Sequence, residues 1–289
     1  MDALARIERV LSEALAEAGA PGAPPRLAAA MHHAVFPRGA RLRSRLCLAV
    51  AWACGEDDPD AADAAASAIE LLHCASLVHD DLPCFDNAEM RRGRPSVHRA
   101  FGEPLAVLAG DALIVLAFQV LAKGASRRPE RLPELLRIVA GAVGAPHGIA
   151  AGQAWECEPE ADLSVYQQSK TGALFAAATA AGAAACGQNG DAWRLFGERL
   201  GEAYQVADDI ADVLSNSGEI GKPTGQDVAL ERPNAALQLG VRTALERLDR
   251  LAADAVAAIP PCRGANELRA LTMQETRRLL PKEFARQAA

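Results

Sequence analysis

The sequence predicts an all-α fold, and three observations carry that expectation. Aromatic residues make up only 4% of the chain, and strand-like alternation of apolar and polar residues is hard to find. Alanine and leucine instead recur at helical spacing, and both are strong helix formers. Glycine- and proline-marked breaks divide the 289 residues into about ten segments of helix length.

The opening segment, "MDALARIERVLSEALAEAG", is acidic and amphipathic, unlike a signal peptide with its basic start and apolar centre. Breaks at "GAPGAPP" (19–25), "FPRGA" (36–40) and "GEDDPD" (55–60) bound two further short segments. A long segment near 60–80 follows, in which Ile69, Leu71, Leu72, Ala75, Leu77 and Val78 read as packed. Another spans 104–123, up to "ASRRPERLP" (125–133). Beyond "ECEPEADLS" (156–164), an alanine-rich segment near 162–184 reaches "GQNGD" (187–191). Segments near 191–214 and 233–258 flank "SNSGEIGKPTGQD" (215–227), and "IPPCRGAN" (259–266) precedes the last piece. No internal repeat is evident and no linker is long enough to force a division. Residues 1–289 therefore read as a single domain, a bundle of mostly antiparallel helices.

Composition narrows the function. The formal net charge is −7 and no basic stripe is visible, which argues against nucleic acid as a partner. The short clusters Arg41-Leu42-Arg43-Ser44-Arg45 and Arg91-Arg92-Gly93-Arg94 suit small anionic ligands better than a polymer. Seven scattered cysteines without a C-x-x-C pair indicate free thiols in a reducing compartment, and the chain reads as cytoplasmic. The apolar runs "AVLAGDALIVLAFQVLA" and "TGALFAAATAAGAAAC" fall short of a transmembrane segment.

Two acidic clusters carry the chemistry. Asp80, Asp81 and Asp86 end the 60–80 segment, and Asp208, Asp209 and Asp212 come near the end of the 191–214 segment. Asp208 and Asp212 are four apart and share a helix face with Gln205; a solvated acidic face is the plain reading of such a pair. Both clusters, however, close segments that read as buried, where the helix end is already partly negative. Three more carboxylates there call for cations, and an all-oxygen set suits Mg²⁺ shared with phosphate. Arg91, Arg92, Lys170 and Lys222 stand near enough in sequence to grip such phosphates.

These residues bring a family into view. "HDDLPCFDNAEMRRGRPSVH" resembles the first aspartate-rich motif of the trans-isoprenyl diphosphate synthases, and "YQVADDIAD" resembles the second. "GKPTGQD", "SKTGALF", "GQAWE", "GDAL" and "RGARLRSRL" are similar to further landmarks, in the family's order from about residue 36 to 235. The wording is most similar to bacterial geranylgeranyl diphosphate synthases of carotenoid and bacteriochlorophyll pathways. The resemblance implies an isoprenoid synthase type I fold, with helices around a central cavity, and a homodimer. It implies a prenyltransferase that condenses an allylic diphosphate with isopentenyl diphosphate, using three magnesium ions. Carried over by position, Asp80, Asp81, Asp86, Asp208 and Asp209 or Asp212 would handle magnesium. Arg91, Lys170 and Lys222 would grip the allylic diphosphate, and Arg43, His73 and Arg92 the isopentenyl diphosphate. Thr171 and Gln205 would steady the allylic cation through their oxygens. Magnesium and diphosphate would then lie between the aspartates and the arginines, which need not pair directly.

The family's G-K-R-x-R reads Gly39-Ala40-Arg41-Leu42-Arg43, so its lysine is absent; Arg38 or Arg45 could compensate. Glu156 stands where aspartate is usual, and Arg232 where lysine is common. Product length has a steric reading. Ala75 and Ser76, five and four residues before Asp80, leave space open, and Leu71 and Leu72 could form a floor deeper down. A C20 product is expected, with C15 as the alternative; close helix packing is the plain reading of the same alanine. A terpene cyclase is disfavoured because its second metal motif differs. A non-catalytic partner subunit would lack an aspartate motif, and both are present. His79 beside Asp80 suggests an HD-type phosphohydrolase only if further histidine and aspartate ligands from other helices join it.

Overall fold

A computed structural model describes residues 2–36, 39–160, 163–214, 236 and 240–278. Helix α1 (Ala3–Ala18) starts where the Asp2 carboxylate accepts the Leu4 amide at 3.1 Å, and α2 (Pro25–Val35) follows a proline-marked turn. Helices α3 (Leu42–Ala53) and α4 (Pro59–Asp80) come next, and α4 is the centre of the molecule. Ile69, Leu71 and Leu72 are fully buried there, and each such side chain contributes about 1.5–3 kcal/mol of burial.

Helix α5 (Val97–Phe101) leads into α6 (Glu103–Gly124), which lies antiparallel against α4. Two glycines set that contact. A Cβ on Gly110 would sit 2.1 Å from the His79 ring, and one on Gly124 2.2 Å from Ala64. This register brings Ile114 level with Ala75, further along both helices from Asp80. Helices α7 (Leu132–Val143), α8 (Ile149–Ala154) and α9 (Leu163–Gln167) lead to α10 (Ala173–Ala184). Helix α11 (Arg194–Leu214) packs against α12 (Val241–Ala257) through Val206 and Ile210 on one side and Ala244, Leu248 and Leu251 on the other. Helix α13 (Ala265–Arg278) closes the described chain and seats Ala265 and Leu268 beside Val50 and Ala53 of α3. The all-α expectation holds, and all seven cysteines are free thiols.

Three local features depart from the sequence reading. The 162–184 segment is broken by one π-helical turn, Gln168–Gly172, between α9 and α10. A two-residue hairpin, β1 (Met90–Arg91) and β2 (Arg94–Pro95), stands where no strand was expected. Its loop residues Arg92 and Gly93 have φ of 52° and 74°, the left-handed pair that a tight I′-type connection requires. The first of the two apolar runs also extends into a longer helix, and the 60–80 segment forms another. Pro59–Asp80 and Glu103–Arg127 are both long and apolar enough to cross a membrane by length and composition. The first is a core helix, 83% buried over its most apolar window, whereas the second is 44% buried.

Candidate active site

A cavity of about 920 Å³ opens between α3, α4, α8, the π turn and α11. Asp80, Asp86, Arg91, Arg92, Arg43, His73, Lys170, Thr171, Gln205 and Asp208 all line it, so most of the residues singled out in sequence meet in space. Leu72, Ala75 and Ser76 line it too, with Ile114, Val143, Ile149 and Leu174 supplying further apolar wall.

The acidic end is built at the last turn of α4. One carboxylate oxygen each from Asp80, Asp86 and Glu156 lies within 4.8 Å of the others, a spacing that suits one cation. Burial pushes the Asp80 carboxyl above its ordinary range; Lys170 opposes this and Asp86 adds to it. Lys170 Nζ donates to Asp80 Oδ1 at 3.2 Å and to Glu156 Oε1 at 2.5 Å. Tyr166 Oη and Gln153 Nε2 donate to Glu156 at 2.7 and 2.8 Å. The π turn aims Lys170 and Thr171 inward, and Gly152 lets α8 approach it: a Cβ there would sit 2.4 Å from the Lys170 nitrogen. Thr171 Oγ1 donates to Gln205 Oε1 at 2.9 Å, and Gln205 Nε2 donates to Asp209 at 2.9 Å.

Some expectations are corrected by the geometry. Asp81 is 2% exposed and forms a bidentate pair with Arg91, through Nε at 2.9 Å and through Nη2. A carboxylate so buried requires a cationic partner, and the hairpin delivers Arg91 to it. The aspartates and arginines therefore do pair directly here. Asp209 is also 2% exposed and faces Gln205, and Leu71 is fully buried in the core beside the cavity. Arg41, one of the arginines read as suited to small anions, is consumed by Glu8 (2.9 Å), Glu70 (2.8 Å) and the Val35 carbonyl (2.9 Å). His79 Nε2 lies 3.3 Å from the Val107 carbonyl, and the cluster suited to a metal among the described residues contains no histidine, against the HD-type reading. Lys222, Arg38, Arg232, the side chain of Asp212 and residues 279–289 lie outside the described residues.

The basic end has a different character. Arg43 stacks on Phe175 and Tyr204, 4.5 and 5.5 Å from the ring centroids. Burial lowers its pKa, and its Nε and the Nη1 of Arg92 are buried without a hydrogen-bond partner among the described residues. Burial, then Arg43 and Arg92, hold His73 well below its usual pKa, so its ring is neutral. Glu156, which the sequence marks only as part of a landmark, is thus a member of the acidic cluster. The signal for it in the sequence is the carboxylate that ends "GQAWE", where the family resemblance has aspartate.

The polyprenyl synthetase family profile matches residues 24–257. A geranylgeranyl diphosphate synthase of Cereibacter sphaeroides is 50% identical over 280 residues, 97% of each chain. One from Rhodobacter capsulatus is 51% identical over 263 residues, 91% of each. A crystal structure of a Helicobacter pylori geranyltransferase, complexed with magnesium and isoprenyl diphosphate, superposes with a TM-score of 0.78 at 27% identity, covering 95% of this chain and 97% of that one. With a profile match over most of its length and relatives at half identity, the chain belongs to the polyprenyl synthetase family.

Proposed function

We propose that the chain condenses an allylic diphosphate with isopentenyl diphosphate head to tail, with geranylgeranyl diphosphate as the main product. The observation that carries this reading is a single cavity with carboxylates and Lys170 at one end, buried guanidinium nitrogens that have no partner among the described residues, and an apolar wall. Relatives named geranylgeranyl diphosphate synthase, at 50% identity, support the C20 product.

Asp80, Asp86, Glu156 and Asp208 would hold magnesium, as an all-oxygen set in which the burial penalty on Asp80 favours a bound cation. Bound there, magnesium would draw off charge developing on the departing diphosphate. Lys170 adds a fixed positive charge beside Asp80. The allylic C–O bond breaks with its electron pair going to diphosphate. Thr171 Oγ1 and Gln205 Oε1, which line the cavity, offer oxygen dipoles to the resulting allylic cation. Asp209, accepting from Gln205 Nε2, keeps the amide turned with its oxygen toward Thr171. The isopentenyl double bond then attacks, a C–C bond forms, and a proton from the adjoining carbon passes to the departed diphosphate. Neutral His73 can donate an N–H to the isopentenyl diphosphate without adding charge. The test supplies Mg²⁺, isopentenyl diphosphate and C5, C10 or C15 primers separately, then chromatographs the dephosphorylated products. A C20 alcohol is expected; no elongation from any primer would overturn the reading.

The same reading includes a homodimer joined through α6. Val107, Leu108 and Val115 are 42%, 51% and 57% exposed on that helix, and they recur at helical spacing along one side. A second copy of the chain is the occupant that fits, since a self-complementary apolar face buries itself across a two-fold axis. Leu108→Arg with Val115→Arg should convert a species of twice the 30.3 kDa chain mass into a monomer in sedimentation experiments. An unchanged mass would exclude this face.

A further inference from the structure

Among the described residues, the basic end of the cavity is short of charge. Of the arginines in Arg41-Leu42-Arg43-Ser44-Arg45, Arg41 is committed to Glu8, Glu70 and the Val35 carbonyl. Ala40 lines the cavity but brings no charge. Arg43 and Arg92 remain, the latter 3.9 Å from Glu70, and each has a buried nitrogen without a hydrogen-bond partner among the described residues. Unpaired buried donors are costly, and two of them on side chains that line one cavity favour an anion nearby.

The C-terminal helix supplies more. Helix α13 runs antiparallel to α3: the Gly264 amide donates to the Ala53 carbonyl at 3.0 Å, and Ala265 and Leu268 pack beside Val50 and Ala53. A Cβ on Gly264 would lie 2.7 Å from Ala53 Cα, so the glycine permits this approach. One consequence is that the last turn of α13 lies beside the first turn of α3. There Glu275 accepts from Arg45 at 3.2 and 3.5 Å and from Arg278 at 2.7 Å. Two guanidinium groups thus share one carboxylate, leaving an excess positive charge, and all three side chains line the cavity. The bonds to Arg45 are long, and Arg45 is in the first turn of α3, where the helix dipole disfavours a cation unless an anion is near.

Resting on the reading above that isopentenyl diphosphate is a substrate, we propose that Arg45 and Arg278, bridged by Glu275, form a third cationic arm for its diphosphate. They act with Arg43 and Arg92 and supply the charge that Ala40 does not. Helix α13 is then part of the substrate site as well as a packing element, and no covalent step is involved.

The test measures KM separately for isopentenyl diphosphate and for the allylic primer, in wild type, Arg45→Gln, Arg278→Gln and the double variant. The expected result is a rise of roughly tenfold in KM for isopentenyl diphosphate in the double variant, with the allylic KM within about twofold of wild type. Introducing Ala40→Lys into the double variant should restore most of the lost affinity, because residue 40 lines the same cavity. That rescue separates lost charge from lost packing of α13. An unchanged isopentenyl KM, equal rises in both KM values, or no recovery with Ala40→Lys each overturns the proposal. Elongation by the wild type in the same assay tests the underlying reading separately, so the two failures are distinguishable.

Discussion

Asp80→Ala is expected to lower kcat by roughly 1,000-fold while leaving the thermal midpoint unchanged or slightly raised. The carboxylate stands at the C-terminal end of α4, against the negative end of that helix dipole and beside Asp86 and Glu156. Burial raises its pKa even with Lys170 3.2 Å away, so the folded protein without cations gains little from keeping it ionised. Its value lies in holding the cation that meets the diphosphate. Single-turnover elongation and thermal unfolding of the same preparation check both halves. Residual turnover above one-tenth of wild type would remove Asp80 from the metal site. Asp81→Ala makes the contrast. Taken only as a helix-end metal ligand, Asp81 could be lost with turnover abolished and the fold spared. Its carboxylate, however, is the bidentate partner of Arg91, so the variant should also lose stability. Breaking a buried pair costs about 3–5 kcal/mol, and the partial exposure of Arg91 reduces this to about 2–3 kcal/mol.

Ala75→Tyr should move the main product from C20 to C15. Ala75 lines the cavity one and a half turns before Asp80, about 7.5 Å along the axis, where a growing chain would pass. Ile114 of α6 stands level with it across the antiparallel contact, and Leu72 lies one turn deeper on the same face. A tyrosine ring projecting between them fills the path while the outer cavity keeps the diphosphate end open. The cost to stability should be about 1–3 kcal/mol, because Ala75 is buried in the core at the cavity wall and the larger ring must displace its neighbours. Chromatography of dephosphorylated products reads the outcome. An unchanged product distribution would show that the chain does not run along α4.

Much of this protein is legible from its residues. The long apolar segments ending at Asp80 and spanning 104–123 become α4 and α6 within a residue or two, because sustained apolar periodicity is read directly off the chain. The π turn at Gln168–Gly172 is not legible, since it depends on Gly152 letting α8 press against the Lys170 backbone. The hairpin at Met90–Pro95 is too short for any alternation to show. Its Arg-Arg-Gly nonetheless carries the turn chemistry that forms it.

The order of the charged residues, and hence the kind of chemistry, is a property of the sequence: carboxylate pairs at helix ends followed by arginines and lysines. Which charges face one another is a property of the folded chain. Asp81 with Arg91, Arg41 with Glu70, Glu156 with Lys170, and Arg45 with Glu275 are pairs separated by 10, 29, 14 and 230 residues. Ion pairing acts over a few ångströms and is set by desolvation at each position. Only packing brings such residues within that distance, and only packing decides which of them are buried deeply enough to need a partner.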